Sequence, residues 1–230
     1  MPPIHFIEGT QEFPDVRSAE PEGLLAYGSD ISPKRLLAAY PLGIFPWYNE
    51  GQPVLWWAPH ERCVLYPAKM HCSKNLRRII RQGRFEIRMD TVFDNVVQSC
   101  GYVGKNRDEG TWLNQQLKSS LSVLHDQGIA HSIEAWRDGK LVGGLYGVSM
   151  GGMFFGESMF AAESEASKVC LYHLSQWMIA QGMDLIDCQI PNDHLMSLGA
   201  EMMTEEEFYP FLEQSVKKRT LNGIWNPLTT

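Results

Sequence analysis

Three strand-like runs separated by two glycine turns constrain the fold more than any other stretch of this 230-residue chain. The runs cover residues 131–136, 141–148 and 153–160, and the turns are Asp138-Gly139 and Gly151-Gly152. Asp-Gly and Gly-Gly dipeptides favour the tight turns that join antiparallel strands. The stretch therefore predicts a three-stranded meander.

The segments on either side of the meander extend this prediction. A helix capped by Thr111 precedes it, and a second helix from about residue 165 to 181 follows it and ends at Gly182. A short strand then covers residues 185–189. The predicted order of elements is helix, three antiparallel strands, helix and strand. This is the order of elements in an acyl-CoA N-acyltransferase core. We expect the last strand to pair parallel with residues 153–160 and to open a cleft where the two strands end.

The first part of the chain predicts a smaller unit. Ser32 and Pro33 begin a short helix, two strands cover residues 54–57 and 62–66, and Ser73 caps a helix that ends at Gly83. The predicted fold class is therefore α+β. A small N-terminal α/β domain covers residues 1–95, and an N-acyltransferase-like domain with a mixed sheet and flanking helices covers residues 96–230.

Composition excludes several classes of protein. The chain is 44% hydrophobic and 20% charged, as in ordinary soluble proteins. Its most apolar stretch, residues 141–156, contains six glycines and is shorter than the roughly 20 residues of a spanning helix. The N-terminus resembles no secretory signal. The five cysteines form no C-x-x-C pair, and the histidines have no metal-ligand spacing. We therefore expect a cytoplasmic protein with free thiols, no metal and no membrane partner.

Two polar residues interrupt the apolar strand at 185–189. Asp187 and Gln189 alternate with apolar neighbours and are expected to share one strand face. The predicted cleft brings them close to Glu157. One interpretation is a solvated face or a satisfied structural pair; the other is a functional cluster at a strand-end opening.

The charge of the chain is uneven. The net charge is −7, yet residues 69–88 contain seven Lys or Arg and one Glu, which leaves −13 on the remainder. Within the helix after Ser73, one face carries the cations Lys74, Arg77, Arg78 and Arg81. A solvated charged face is one explanation. A phosphate-binding surface is the other, and the concentration of cations in an acidic chain favours it.

Several long motifs resemble one known family. The segments GLLAYGSDISPKRLLAAYPLGIFPWYNEGQPVLWWAPHERCVLYP, DEGTW, HSIEAWRDGKLVGGLYGV, FFGESMF and LIDCQIPNDH resemble the bacterial leucyl/phenylalanyl-tRNA–protein transferases in collinear order. The resemblance implies a cytoplasmic enzyme of the N-end rule pathway of protein degradation. Such an enzyme moves Leu, Phe or Met from aminoacyl-tRNA to the N-terminal α-amine of proteins beginning with Arg or Lys. It also implies an N-acyltransferase-like C-terminal domain. We expect a monomer that uses no cofactor.

The resemblance assigns roles to individual residues. It implies that Asp187 and Gln189 are catalytic, that Glu157 helps to hold the acceptor, and that Trp47 and Trp112 lie near the tRNA 3′ end. It implies a donor side-chain pocket formed by Leu145, Phe154, Leu171, Leu174, Met178 and Ile186. Whether Asp187, Gln189 or a ribose hydroxyl takes the proton of the amine is open at this point.

Two other functions are compatible with parts of the sequence. An N-acetyltransferase has the same predicted core, but residues 157–168 contain no glycine and three glutamates, which disfavours a CoA pyrophosphate. A non-catalytic module that captures basic N-termini has no use for the cationic helix. Core packing is the alternative interpretation for the tryptophans, above all for Trp56 and Trp57.

Overall fold

The computed structural model describes residues 4–49, 51–101 and 114–228. Two sheets organise them. The smaller sheet has the strand order β1-β2-β4-β3. Its strands are β1 (His5–Ile7), β2 (Leu24–Gly28), β3 (Phe45–Pro46) and β4 (Val54–Trp57).

The larger sheet has seven strands in the order β11-β5-β10-β9-β8-β7-β6. Its strands are β5 (Glu61–Leu65), β6 (Glu86–Met89), β7 (Ala130–Arg137), β8 (Lys140–Met150), β9 (Met153–Ala161), β10 (Leu185–Gln189) and β11 (Glu201–Thr204). Strands from both sides of residue 95 thus lie in one sheet. The division into residues 1–95 and 96–230 stays a prediction about folding units. It places β5 and β6 in the first unit, whereas the strands that they pair with lie in the second.

The predicted meander is present as β7, β8 and β9, which pair antiparallel. Asp138 and Gly139 have φ of 50° and 73°, the paired left-handed conformation that a two-residue hairpin turn requires. As expected, β10 pairs parallel with β9, from Leu185↔Met153 to Asp187↔Phe155. The two strands separate beyond that pair.

The helices are α1 (Pro33–Ala39), α2 (Lys74–Arg81), α3 (Phe93–Cys100), α4 (Gln115–Asp126), α5 (Ala166–Gln181), α6 (Asp193–Ser197) and α7 (Glu205–Val216). Ser32 and Ser73 accept from backbone N–H groups and cap α1 and α2 as predicted. Asn114 caps α4, whereas the predicted cap Thr111 lies outside the described residues. Thr204 and Glu207 form a reciprocal capping box at α7, and Pro210 lies inside that helix.

The larger sheet is covered on both faces. Helices α2 and α5 pack on one face, which we call the α5 face, together with Phe154, Ile186 and Trp225. The other face packs against α3, α4, α7 and the smaller sheet, and its core includes Phe155 and Leu185. The structure is therefore a mixed α and β fold. No described helix is both long enough and apolar enough to cross a bilayer.

Candidate functional site: a cavity where two strands separate

A cavity of about 770 Å³ opens where β9 and β10 diverge. One end is apolar and the other is a polar mouth. The apolar end is lined by Leu145, Phe154, Leu171, Leu174 and Ile186, which come from β8, β9, β10 and α5. Phe45, Pro46 and Trp47 from the smaller sheet and residues 190–195 complete the wall.

Two β-bulges shape the mouth of this cavity. On β9 the register passes from Ser158 to Gly156, so Glu157 is an extra residue opposite β8. On β10 it passes from Asp187 to Gln189 across a single step of β5, so Cys188 is the extra residue. A bulge breaks the alternation of side chains and re-aims them. The two bulges lie on neighbouring strands and bring Glu157 and Gln189 together.

A chain of polar contacts runs through the mouth. The Tyr40 hydroxyl donates to Oε1 of Glu157 at 3.0 Å, and Nε2 of Gln189 donates to the same oxygen at 3.1 Å. The backbone N–H of Gln189 donates to Oδ1 of Asp187 at 2.9 Å. Nε and Nη2 of Arg62 donate to the two oxygens of Asp187 at 2.8 and 2.7 Å. Oε1 of Glu157 is thus held by two donors, whereas its Oε2 receives no hydrogen bond from a described residue.

The predicted position of Asp187 needs correction. Asp187 was expected to share the cleft face with Gln189, but its carboxylate is fully buried and does not line the cavity. It faces the core opposite the α5 face, where the Arg62 guanidinium packs 4.7 Å from the Phe45 ring centroid and 5.0 Å from that of Phe208. The expected alternation of side chains along β10 is broken by the bulge at Cys188, and Gln189 also adopts a left-handed φ of 64°.

Burial changes the acidity of groups at the mouth. It raises the pKa of Glu157 to about 7, against the opposing effect of its bonds from Tyr40 and Gln189. Burial also raises the pKa of Tyr40 and of Tyr146 well above the ordinary value for tyrosine. The Glu157 carboxyl therefore exchanges its proton near neutral pH, and both phenols stay protonated.

Comparison with known proteins identifies the family. The chain matches the leucyl/phenylalanyl-tRNA protein transferase family over residues 64–213, and the N-terminal domain of that family over residues 29–60. A transferase of this description from Syntrophus aciditrophicus is 48% identical over 93% of this chain and 90% of its own length. The chain belongs to the leucyl/phenylalanyl-tRNA protein transferase family.

A second relative agrees with this family assignment, whereas the likeness to a solved structure is weak. The leucyl/phenylalanyl-tRNA protein transferase of Desulfatibacillum aliphaticivorans is 46% identical over 97% of this chain and 96% of its own length. A solved structure, that of L-PGS from Bacillus licheniformis, covers 74% of this chain and 54% of that chain at a TM-score of 0.38 and 13% identity. That likeness is too weak to support an argument.

Most residues that the family resemblance singled out lie around the cavity. Five of the six predicted donor-pocket residues line it; Met178 is fully buried in the same core but is not part of the wall. Trp47 lines the mouth with 49% of its surface exposed, and Nε1 of Trp57 donates to its carbonyl oxygen at 2.7 Å. Trp56 is a fully buried core residue. Trp112 lies outside the described residues.

The cations of α2 lie apart from the cavity. Lys74, Arg77 and Arg81 line a separate groove of about 540 Å³ beside Tyr172. Nε of Arg77 donates to the Cys72 carbonyl oxygen at 2.9 Å, which orients its guanidinium. Arg78 is different, because it donates to Asn75 on its own helix at 2.9 Å and does not line this groove.

Sequence reasoning missed three residues at or next to this cavity. Arg62 pairs with Asp187, Tyr40 bonds to Glu157, and Tyr146 contributes a buried hydroxyl without a hydrogen-bond partner among the described residues. A lone arginine in the apolar strand RCVL was a usable signal for Arg62, because a buried arginine needs an acidic partner. No local pattern marks the two tyrosines.

Proposed function

We propose that this chain transfers Leu, Phe or Met from aminoacyl-tRNA to the N-terminal α-amine of proteins beginning with Arg or Lys, as a cytoplasmic monomer of the N-end rule pathway. The observation that supports this most is the joining of an apolar pocket to a polar mouth that contains Glu157 and Gln189. The pocket suits an apolar donor side chain, and the mouth suits an amine. The fold we propose for the catalytic part is N-acyltransferase-like, from the order of β7, β8, β9, α5 and β10.

The reaction is aminolysis of an ester. The α-amine nitrogen attacks the ester carbonyl carbon, the new C–N bond forms, and the C–O bond to the terminal ribose breaks. The amine loses a proton and the ribose oxygen gains one. An α-amine has a pKa near 7.7–8.0, so a useful fraction is neutral at pH 7 and no strong base is needed. The enzyme contributes by positioning the reactants and stabilising developing charge.

We assign roles at the mouth from its hydrogen bonds. Nε2 of Gln189 is engaged by Glu157, which leaves the amide oxygen of Gln189 as the acceptor for an amine N–H. Oε2 of Glu157 is the oxygen placed to take the proton, because Oε1 is held by Tyr40 and Gln189. Asp187 acts indirectly: it fixes the Gln189 backbone, and Arg62 neutralises its charge.

The acceptor side of the mouth is acidic. Glu157 and Asp193 both line the cavity, while Asp187 is compensated by Arg62. Two uncompensated carboxylates favour a cationic first residue such as Arg or Lys.

The two alternative functions fit less well. A CoA pyrophosphate needs backbone N–H groups and positive potential at a helix N-terminus. At α5 the N-cap is Glu165, and Glu163 lies two residues before it. A capture module for basic N-termini explains the acidic mouth but not the exposed Arg77 and Arg81 groove.

The direct test uses the purified protein, labelled leucyl-tRNA and matched peptides that begin with Arg or with Ala. We expect label on the Arg peptide and little on the Ala peptide. Acetyl-CoA in place of leucyl-tRNA should give no product. Acetylation of the peptide, or binding of the Arg peptide without transfer, would favour the corresponding alternative.

Donor choice follows from the shape of the apolar end. Leu145, Phe154 and Ile186 line it, and we expect it to admit Leu, Phe and Met and to disfavour β-branched Ile. A misplaced methyl group in such a pocket changes discrimination by about 1–3 kcal/mol, roughly ten- to two-hundredfold. Competition between leucyl-tRNA and isoleucyl-tRNA at limiting concentrations measures this ratio. Equal transfer from both would contradict the assignment of the pocket.

We propose that the α2 cations, Lys74, Arg77, Arg78 and Arg81, contact phosphates of the tRNA acceptor stem, with Arg77 and Arg81 in the groove. Replacing Arg77 and Arg81 by Glu should weaken binding of every aminoacyl-tRNA and reduce the salt dependence of affinity, because phosphate contacts release counterions. Transfer from an aminoacyl-adenosine without a stem should be spared. The matched control replaces Lys34 on α1 and Lys217, the residue that follows α7, both of which are exposed. An unchanged salt slope in the groove variant would mean that the face is only solvated.

A further inference from the structure

Two cysteines lie on neighbouring strands beside the cavity, and one of them, Cys188, lines it. Cys63 on β5 is the partner of Gln189 on β10, and the preceding pair is Val64 and Asp187. Cys188 is therefore the bulged residue opposite Cys63. Cys63 belongs to the core on the α5 face, and Cys188 packs against the same core. Both thiols thus lie on the side of the sheet that carries the apolar pocket.

The two thiols interact with each other. The neighbouring Cys188 thiol lowers the pKa of Cys63, and the same proximity together with burial raises the pKa of Cys188 well above its usual value. Cys63 therefore has the greater thiolate character, while Sγ of Cys188 donates to the Ile186 carbonyl oxygen at 3.9 Å. Access is also unequal. Cys188 is half-buried and lines the cavity, whereas Cys63 is fully buried behind it.

We propose that Cys63 and Cys188 form a dithiol site for trivalent arsenicals, and that an arylarsenical bound there occupies the donor pocket. Thiolates are ligands for soft thiophilic centres, and two adjacent thiols chelate one arsenic. In the reaction with an arylarsonous acid, two S–H bonds and two As–OH bonds break. Two As–S bonds form and two water molecules leave. Arsenic stays trivalent, so no oxidant or reductant is needed.

The site has a defined consequence for the neighbouring pocket. An arsenic on the Cys188 sulfur lies at the cavity wall near Ile186, two residues earlier on β10, and near Phe154, which is paired with Ile186. A phenyl group on that arsenic has the size and apolar character of a phenylalanine side chain. It therefore enters the space that we assign to the donor side chain. This last point rests on the proposed function, whereas formation of the adduct does not.

The test treats the intact protein with phenylarsine oxide and measures mass, cross-link position and reversal. We expect one phenylarsenic group per chain that links the Cys63 and Cys188 peptides. An excess of 2,3-dimercaptopropanol should remove it, whereas an equal thiol concentration of 2-mercaptoethanol should not. Transfer from phenylalanyl-tRNA should be lost with the adduct and recovered with the dithiol.

Two variants separate chelation from ordinary thiol labelling. Cys63→Ala leaves a single thiol at the site, so the adduct should dissociate roughly a hundredfold faster, as expected when the second attachment is lost. Cys100→Ala is the matched control, because Cys100 is buried on the opposite face and burial raises the pKa of its thiol to about 12. Its adduct should be indistinguishable from that of the unaltered chain.

The outcomes distinguish the inference from the proposed function. A cross-link at other cysteines, release by monothiol, or an unchanged adduct in Cys63→Ala would overturn the dithiol site, even if transfer is inhibited. If Cys63→Ala does not fold, cross-link mapping on the unaltered chain decides the same question. A Cys63–Cys188 adduct on a protein that performs no transfer would leave the site standing and overturn the proposed function instead.

Discussion

Replacing Asp187 by Asn is expected to lower the free energy of unfolding by about 3–5 kcal/mol, because the substitution leaves Arg62 as a buried charge without its partner. Asp187 is completely buried and Arg62 is 1% exposed, so water cannot take over the lost interaction. In a chain of this size such a loss lowers the melting temperature by roughly 6–20 °C. Urea denaturation measures it. The exposed pair of Lys69 and Glu201 is the control, and Glu201→Gln should cost less than about 1 kcal/mol.

A double variant separates the structural role of Asp187 from its role in transfer. Arg62→Met combined with Asp187→Leu removes both charges together, and apolar replacement of a buried ion pair is often close to neutral. Stability should largely return, although the Gln189 N–H loses its acceptor. Transfer should remain low because Gln189 is no longer fixed. Recovery of both stability and full transfer would show that the ion pair has no part in the reaction.

Replacing Glu157 by Gln is expected to reduce transfer by roughly a hundredfold, the contribution of a positioned acid–base group. It should also remove one ionisation from the pH–rate profile. Burial raises the pKa of Glu157 to about 7, so in the unaltered protein the ionised form, and with it the rate, increases as the pH rises through 7. The α-amine of the acceptor titrates separately, near 7.7–8.0, and its ionisation should persist in the variant. An unchanged profile would contradict the proton-accepting role.

The raised pKa of Glu157 also predicts how stability depends on pH: stability falls over the pH range in which the transfer rate rises. A carboxyl group whose pKa is raised by folding favours the folded state while it is protonated. That contribution is lost as the pH rises from the ordinary value of 4.5 through about 7. Glu157→Gln should therefore be more stable than the unaltered chain at pH 8 and less active. Glu213→Gln, at an exposed pair on α7, should change neither quantity.

Local signals in the sequence predicted much of the fold. The Asp138-Gly139 turn, the Ser32 cap and the Ser73 cap each depend on residues within a few positions of one another, and all three are present. The parallel pairing of β10 with β9 followed from the order of elements and is also present. These features need no knowledge of distant contacts.

The details of the site depend on contacts that no local pattern contains. Arg62 and Asp187 are 125 positions apart, and Tyr40 and Glu157 are 117 apart. The bulge at Cys188 has no glycine to announce it, and Gln189 adopts a left-handed conformation without being glycine. The prediction that Asp187 faces the cleft was wrong for this reason. The closeness of Glu157 to Gln189 and Asp187 was confirmed, because it required only that the two strands end together.

The central claim is that transfer takes place where the Gln189 amide and the Glu157 carboxylate meet the apolar pocket. Gln189→Ala tests it most directly, because the side chain is half-buried and, among the described residues, hydrogen-bonds only to Oε1 of Glu157. Melting temperature, aminoacyl-tRNA affinity and single-turnover transfer to an Arg peptide should be measured on one preparation. The account predicts a melting temperature and affinity near those of the unaltered chain, with transfer reduced by roughly a hundredfold. A folded variant that binds aminoacyl-tRNA and transfers at the original rate would contradict it.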